Sequence, residues 1–103
     1  MEIEKRFVQK YIHQMALDQL ESDYRARGFH VSRNRRLGEY EVDLVAEQDN
    51  EVLVIEVKAG KLTQNRKKAI AFLGDYVKRH KNYKFLVVFA NEPAEKQIIV
   101  EEI

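Results

Sequence analysis

The sequence of 103 residues predicts an α/β fold: a small mixed central sheet flanked by helices, in the order α-β-β-β-α-β. Three observations carry that prediction. Residues 2–27 repeat apolar side chains every three or four positions, the period of a helix packed on one side. Residues 39–58 hold two β-rich runs around a short polar turn, the pattern of a hairpin. A second stretch of helical period separates that hairpin from an apolar run over 83–90, so the strands flanking it are expected to be parallel neighbours joined by a crossover. The length suits one domain over residues 1–103 with room for one real core.

In the first helix Phe7, Val8, Tyr11, Ile12, Met15, Ala16, Leu20 and Tyr24 mark the apolar side, and Gly28 is the expected stop. Phe29 to Ser32 reads as a short strand, and Arg33 to Gly38 as a basic turn. From Glu39 to Ala46 the residues alternate, with Glu41, Asp43 and Val45 on one face and Val42, Leu44 and Ala46 on the other. Gln48, Asp49 and Asn50 form the turn. The run from Glu51 to Lys58 is apolar until Glu56, as in a central strand covered on both faces. Gly60 breaks it, and Thr63 is a suitable N-cap for a helix over 64–80. Ala69, Phe72, Leu73, Tyr76 and Val77 would be the buried stripe of that helix. Arg79, His80 and Lys81 at its end suit the helix dipole. Residues 83–90 form another central strand. The tail 93–103 suits a helix by Pro93 and the polar residues after it, or a strand by Ile98, Ile99 and Val100; helix is favoured.

Composition narrows the function. Hydrophobic residues make up 45% and charged residues 34%, a globular rather than a disordered balance. Cysteine is absent, which excludes disulfides, thiolate zinc sites and a cysteine nucleophile, and fits the cytoplasm as the expected location. No apolar run approaches the roughly 20 residues of a membrane span, and the N-terminus lacks the apolar stretch of a secretory signal. His13, His30 and His80 lack metal-ligand spacing. There is no glycine-rich phosphate loop, and neither a membrane partner nor a small-molecule cofactor is expected. The net charge of +1 conceals an asymmetry: residues 39–56 carry seven acids and no base, and residues 57–91 carry nine bases against Asp75 alone. Such neighbours suit a site that brings a metal ion and a polyanion together; two solvated faces of opposite sign would give the same composition.

A hairpin with Gln48, Asp49 and Asn50 in its turn pairs residues whose numbers sum to about 98 to 100. Asp43 then stands opposite position 55 to 57, beside Glu56. Lys58 shares the face of Glu56, so two carboxylates and an ammonium converge. Burying such a trio is costly unless something compensates it. A divalent cation would do so, and carboxylate oxygens suit Mg²⁺, which keeps waters and accepts phosphate oxygens. Lys58 beside it could hold a phosphate or stabilise developing negative charge. Each part has a role in phosphodiester hydrolysis. The alternative is an ordinary hairpin with solvated acids and a lysine snorkelling from a strand end.

The stretch from Glu41 to Ala46, with twelve residues between Asp43 and the Glu56-Val57-Lys58 run, resembles the motif of the PD-(D/E)XK nuclease superfamily. It is especially similar to archaeal Holliday-junction resolvases and to small bacterial endonuclease-like proteins. The resemblance covers roughly residues 15–90 and implies a restriction-endonuclease-like fold. By that resemblance Asp43 and Glu56 are metal ligands, with the carbonyl of Val57 as a further ligand and Lys58 as the catalytic lysine. Mg²⁺ is the implied ion, with Mn²⁺ as a substitute. Gln64 matches a glutamine found at the start of the second helix in relatives. Val42 stands where the name-giving proline would be. Relatives also place a glutamate on the first helix; in that register this chain has Leu17. Glu21 and Asp18, nearby on the helix, and Glu41, two residues before Asp43, are the candidates for a further acid.

Lys61, Gln64, Arg66, Lys67 and Lys68 lie just past the trio, and Arg33, Arg35 and Arg36 just before the acidic strand. The two groups are candidates for holding DNA phosphates on either side of the site. So short a chain offers little surface for reading sequence, which predicts structure-selective or weakly sequence-specific cleavage by a homodimer. Its interface would lie on the long first helix or the tail. The alternative function is a non-catalytic DNA-binding or accessory subunit with a degenerate site.

Overall fold

Two helices and five strands follow one another as α1 (Lys5–Ala26), β1 (His30–Leu37), β2 (Tyr40–Gln48), β3 (Glu51–Ala59), α2 (Gln64–Lys78), β4 (Tyr83–Ala90) and β5 (Ile98–Glu102). This computed structural model describes residues 5–59, 64–90 and 98–102, with side chains described over 7–59 and 67–90. The strands form one mixed sheet in the order β1-β2-β3-β4-β5. Only β3 and β4 run parallel, with α2 as the connection between them; the other neighbours are antiparallel. Among the described residues no helix is long and apolar enough to cross a membrane.

Helix α1 ends where glycine was expected to end it. Gly28 has φ +91°, a conformation that costs a residue with a Cβ, and its N–H donates to the Arg25 carbonyl. The Phe29 N–H reaches back to the Tyr24 carbonyl, which completes a Schellman closure. The rings of Phe29 and Tyr24 then meet in a T-shaped pair at a centroid distance of 5.3 Å. The helix is thereby turned back onto the first strand.

Each face of the sheet buries its own core. On one side Ile12, Ala16, Leu17 and Tyr24 of α1 pack on Leu44, Ala46, Leu53, Ile55, Val57 and Val88. On the other, Leu73 and Val77 of α2 pack on Val42, Val45, Val54, Phe85 and Val87. The central strands β3 and β4 are covered on both sides, which is why they read as nearly unbroken apolar runs.

Three expectations are corrected. The basic segment from Arg33 to Leu37 is not a turn: β1 runs through it, pairing Arg33 with Leu44 and Arg35 with Val42, and the chain reverses at Gly38 and Glu39. The tail is not helical over Ile98–Glu102: its β-branched residues pair antiparallel with β4 and extend the sheet. The even alternation of β2 fails at Asp43. Val42 and Leu44 have the same parity, yet they pack in opposite cores. In the neighbouring strand Asn34, between Arg33 and Arg35, takes φ +53°, while the β1–β2 register stays unbroken across it. Gly60, Thr63 and Pro93, expected as breaker, cap and helix start, lie outside the described residues.

Candidate active site

The hairpin register has the expected sum, with Leu44 opposite Ile55 and Gln48 opposite Glu51. Its ladder stops at the Leu44–Ile55 pair, although β3 stays paired with β4 as far as Ala59. Beyond that point β2 and β3 are held together by side chains. Glu56 Oε1 accepts the Asp43 N–H at 2.7 Å. Asp43 Oδ2 accepts the Val57 N–H at 2.8 Å. Each acid thus occupies a peptide group of the other strand that the ladder leaves unpaired, which fixes both carboxylates on backbone rather than on mobile side chains.

Lys58 Nζ donates to Glu56 Oε2 at 3.0 Å, and both side chains are largely buried. Glu56 is the only polar side chain in the buried set of described residues, at 5% exposure. Its pKa is pushed up, first by burial and then by the negative charge of Asp43, against the pull of Lys58 and the Asp43 N–H. A buried acid beside a half-buried one, with one lysine against them, crowds negative charge that a cation would relieve.

From the other side, α1 brings His13 to the cluster. Its Nε2 lies 3.2 Å from Asp43 Oδ2. The hydrogen bond with Asp43 is the main cause that raises the imidazole pKa, opposed by burial. A hollow of about 410 Å³ opens here, with Gln9, Lys10 and His13 of α1 on one wall and Asp43, Val57 and Lys58 on the other.

Among the described residues no group of three or more His, Asp or Glu side chains is placed to hold a metal ion. Two carboxylates fixed beside one another, next to a hollow, suit an ion that keeps most of its shell for water and substrate, as Mg²⁺ does. None of the hydrogen bonds among the described residues reaches Asp43 Oδ1. The donor chemistry would suit a hard divalent cation at Asp43 and Glu56, with the Val57 carbonyl as the third donor that the resemblance implied.

Other candidates lie elsewhere. Asp18 and Glu21, offered as a further acid, are both bound by Arg33, whose Nη2 is 2.7 Å from Asp18 Oδ1. At 1.5 Å per residue Glu21 stands about 12 Å along the helix from His13. The α1 contribution at Asp43 is an imidazole instead. Leu17, in the register of the expected acid, is a core residue at 5% exposure. Glu41 is exposed, opposite Arg36.

Of the bases, Arg33 is taken by α1, and Arg35 is paired with Glu47. Arg36 is exposed and reaches the Glu39 carbonyl at 3.4 Å. Lys67 and Lys68 are exposed at the start of α2. Gln64 and Arg66 lie on the same turn, with side chains outside those described, and Lys61 lies outside the described residues.

His13 is the residue that sequence reasoning missed. A signal was available: it lies three and four positions before Ala16 and Leu17, on the flank of the stripe that α1 buries. A histidine there faces the sheet rather than solvent.

A family model described as REase_AHJR-like, a restriction-endonuclease-like group, matches residues 6–102 of the chain. No curated protein matches it.

Proposed function

The chain belongs to the AHJR-like family of restriction-endonuclease-like proteins, and on that premise we propose that it is a Mg²⁺-dependent endonuclease hydrolysing phosphodiester bonds of DNA. The observation that carries this reading is the trio of Asp43, Glu56 and Lys58. The acids are locked onto opposite strands where the ladder opens, with an ammonium 3.0 Å from the second acid. Asp43 and Glu56 would hold the ion, with the Val57 carbonyl, and Mn²⁺ would substitute for Mg²⁺. The bound ion supplies neutralisation of the acids and polarisation of a phosphoryl oxygen. Lys58 places its charge where a phosphate would gain negative charge during attack by water, so it favours the transition state over the ground state.

Affinity for DNA comes in this reading from phosphate contacts by Lys67 and Lys68, with Arg36, Lys61, Gln64 and Arg66 as further candidates. Arg33 and Arg35 contribute less, because their acids already hold them. Such contacts confer no sequence specificity, so selection rests on DNA structure. A homodimer in the cytoplasm would offer two such sites to a branched or duplex DNA. Support for the dimer comes from Phe7, Tyr11 and Met15, which form one stripe on α1 at 58%, 66% and 52% exposure.

The test is cleavage of linear, flapped and four-way DNA by the purified chain with Mg²⁺ or Mn²⁺. Metal-dependent cutting with a preference among the three supports the reading. Binding of DNA without any cutting would assign the chain to the accessory, non-catalytic alternative.

A further inference from the structure

The reading above gives α1 no role in the chemistry, yet α1 places a side chain against one of the two acids. His13 Nε2 is 3.2 Å from Asp43 Oδ2. A carboxylate offers only acceptors, so the imidazole is the donor. The same oxygen accepts the Val57 N–H at 2.8 Å. Two donors from different elements, a helix and a strand, therefore meet on Oδ2, and none of the hydrogen bonds among the described residues reaches Oδ1.

The helix holds the imidazole firmly. Ile12, Ala16 and Leu17, on the same side of α1, are buried in the sheet core at 7%, 5% and 5% exposure. His13 itself is one-third exposed beside the hollow, and the Asp43 side chain is 22% exposed. The contact is thus supported by packing on one side and open to solute on the other.

We propose that His13 is a positioning residue for the metal site: its Nε2–H anchors Asp43 Oδ2, fixes the plane of the carboxylate, and leaves Oδ1 for the cation. The inference rests on the metal reading above and deepens it. It also gives α1 a part in the site without an acid. Ligating carboxylates are commonly held by outer hydrogen bonds, and loss of such a partner typically weakens metal binding about 10- to 100-fold.

Calorimetric titration of the full chain with Mn²⁺, in the absence of DNA, tests this. His13→Ala is expected to raise the Kd for Mn²⁺ about 10- to 100-fold. His13→Gln, whose terminal amide places an N–H at a similar reach, is expected to stay within a few-fold of the wild type. His13→Asn, whose shorter amide falls short of Asp43, should behave like His13→Ala and serves in its place if that variant does not fold. Metal-free melting temperatures near that of the wild type separate positioning from folding.

Wild-type affinity in both His13→Ala and His13→Asn would overturn the proposal. So would equal weakening in His13→Gln and His13→Ala, which would make the role one of ring packing. A wild-type chain that binds no Mn²⁺ would instead overturn the metal reading, and this inference with it.

Discussion

Asp43 makes the densest set of contacts in the site: its N–H goes to Glu56, and one carboxylate oxygen takes both His13 and the Val57 N–H. Replacing it by Asn keeps the size and removes the charge. The wild type is expected to melt at a higher temperature in millimolar Mn²⁺ or Mg²⁺, since a ligand at a hundred times its Kd stabilises by about 2.7 kcal/mol. Asp43→Asn should lose that rise, as thermal melts with and without metal would read; an identical rise in both would place the ion elsewhere. The trio itself was legible in the sequence for a simple reason. A short polar turn between two β-rich runs leaves few registers, and every one of them puts Asp43 beside Glu56. His13 was less legible, because its partner is thirty positions away and only the packing of α1 brings them together.

At the scale of elements, Arg33 ties α1 to β1 through Asp18 and Glu21. Arg33, through its hydrogen bonds, is the main cause that holds both acids below their ordinary pKa. The sign follows from linkage: acids with a lowered folded pKa contribute stability above the unfolded value of about 4, and lose it as pH falls through the folded value. The wild type should therefore melt above Arg33→Ala at neutral pH, with the gap closing in acid below that range. A gap that persists unchanged at pH 2 to 3 would make the role of Arg33 one of packing. These pairings were hidden in the sequence. Arg33 to Arg36 read as a basic turn because charge pattern does not reveal that β1 runs on through them beside α1. The break in alternation between Val42 and Leu44 was equally hidden, since any sequence that alternates as β2 does predicts a regular strand. The tail was a contest between a proline-led helix start and a β-branched run, and pairing with β4 decided it.

For the whole molecule, the distribution of charge and apolar surface makes two further predictions. Lys67→Ala with Lys68→Ala should weaken DNA binding for every sequence and flatten its salt dependence. Each lost phosphate contact should take about 0.9 from the log–log slope on duplex DNA; fluorescence anisotropy over a salt series would show this, and an unchanged slope would remove that turn of α2 from the interface. Tyr11→Glu should shift a homodimer to monomer in light-scattering chromatography, because it buries a charge in the α1 stripe. A variant that keeps the wild-type mass would move the interface to another surface. The central claim is that Asp43, Glu56 and Lys58 form a nuclease centre, and one comparison tests it most directly. Folded Lys58→Ala and the wild type are incubated with the same supercoiled DNA and Mg²⁺, and DNA binding is measured in parallel with Ca²⁺. Nicking by Lys58→Ala is expected to fall by on the order of 100- to 1,000-fold, with binding close to that of the wild type. Equal nicking by the two proteins would contradict that claim.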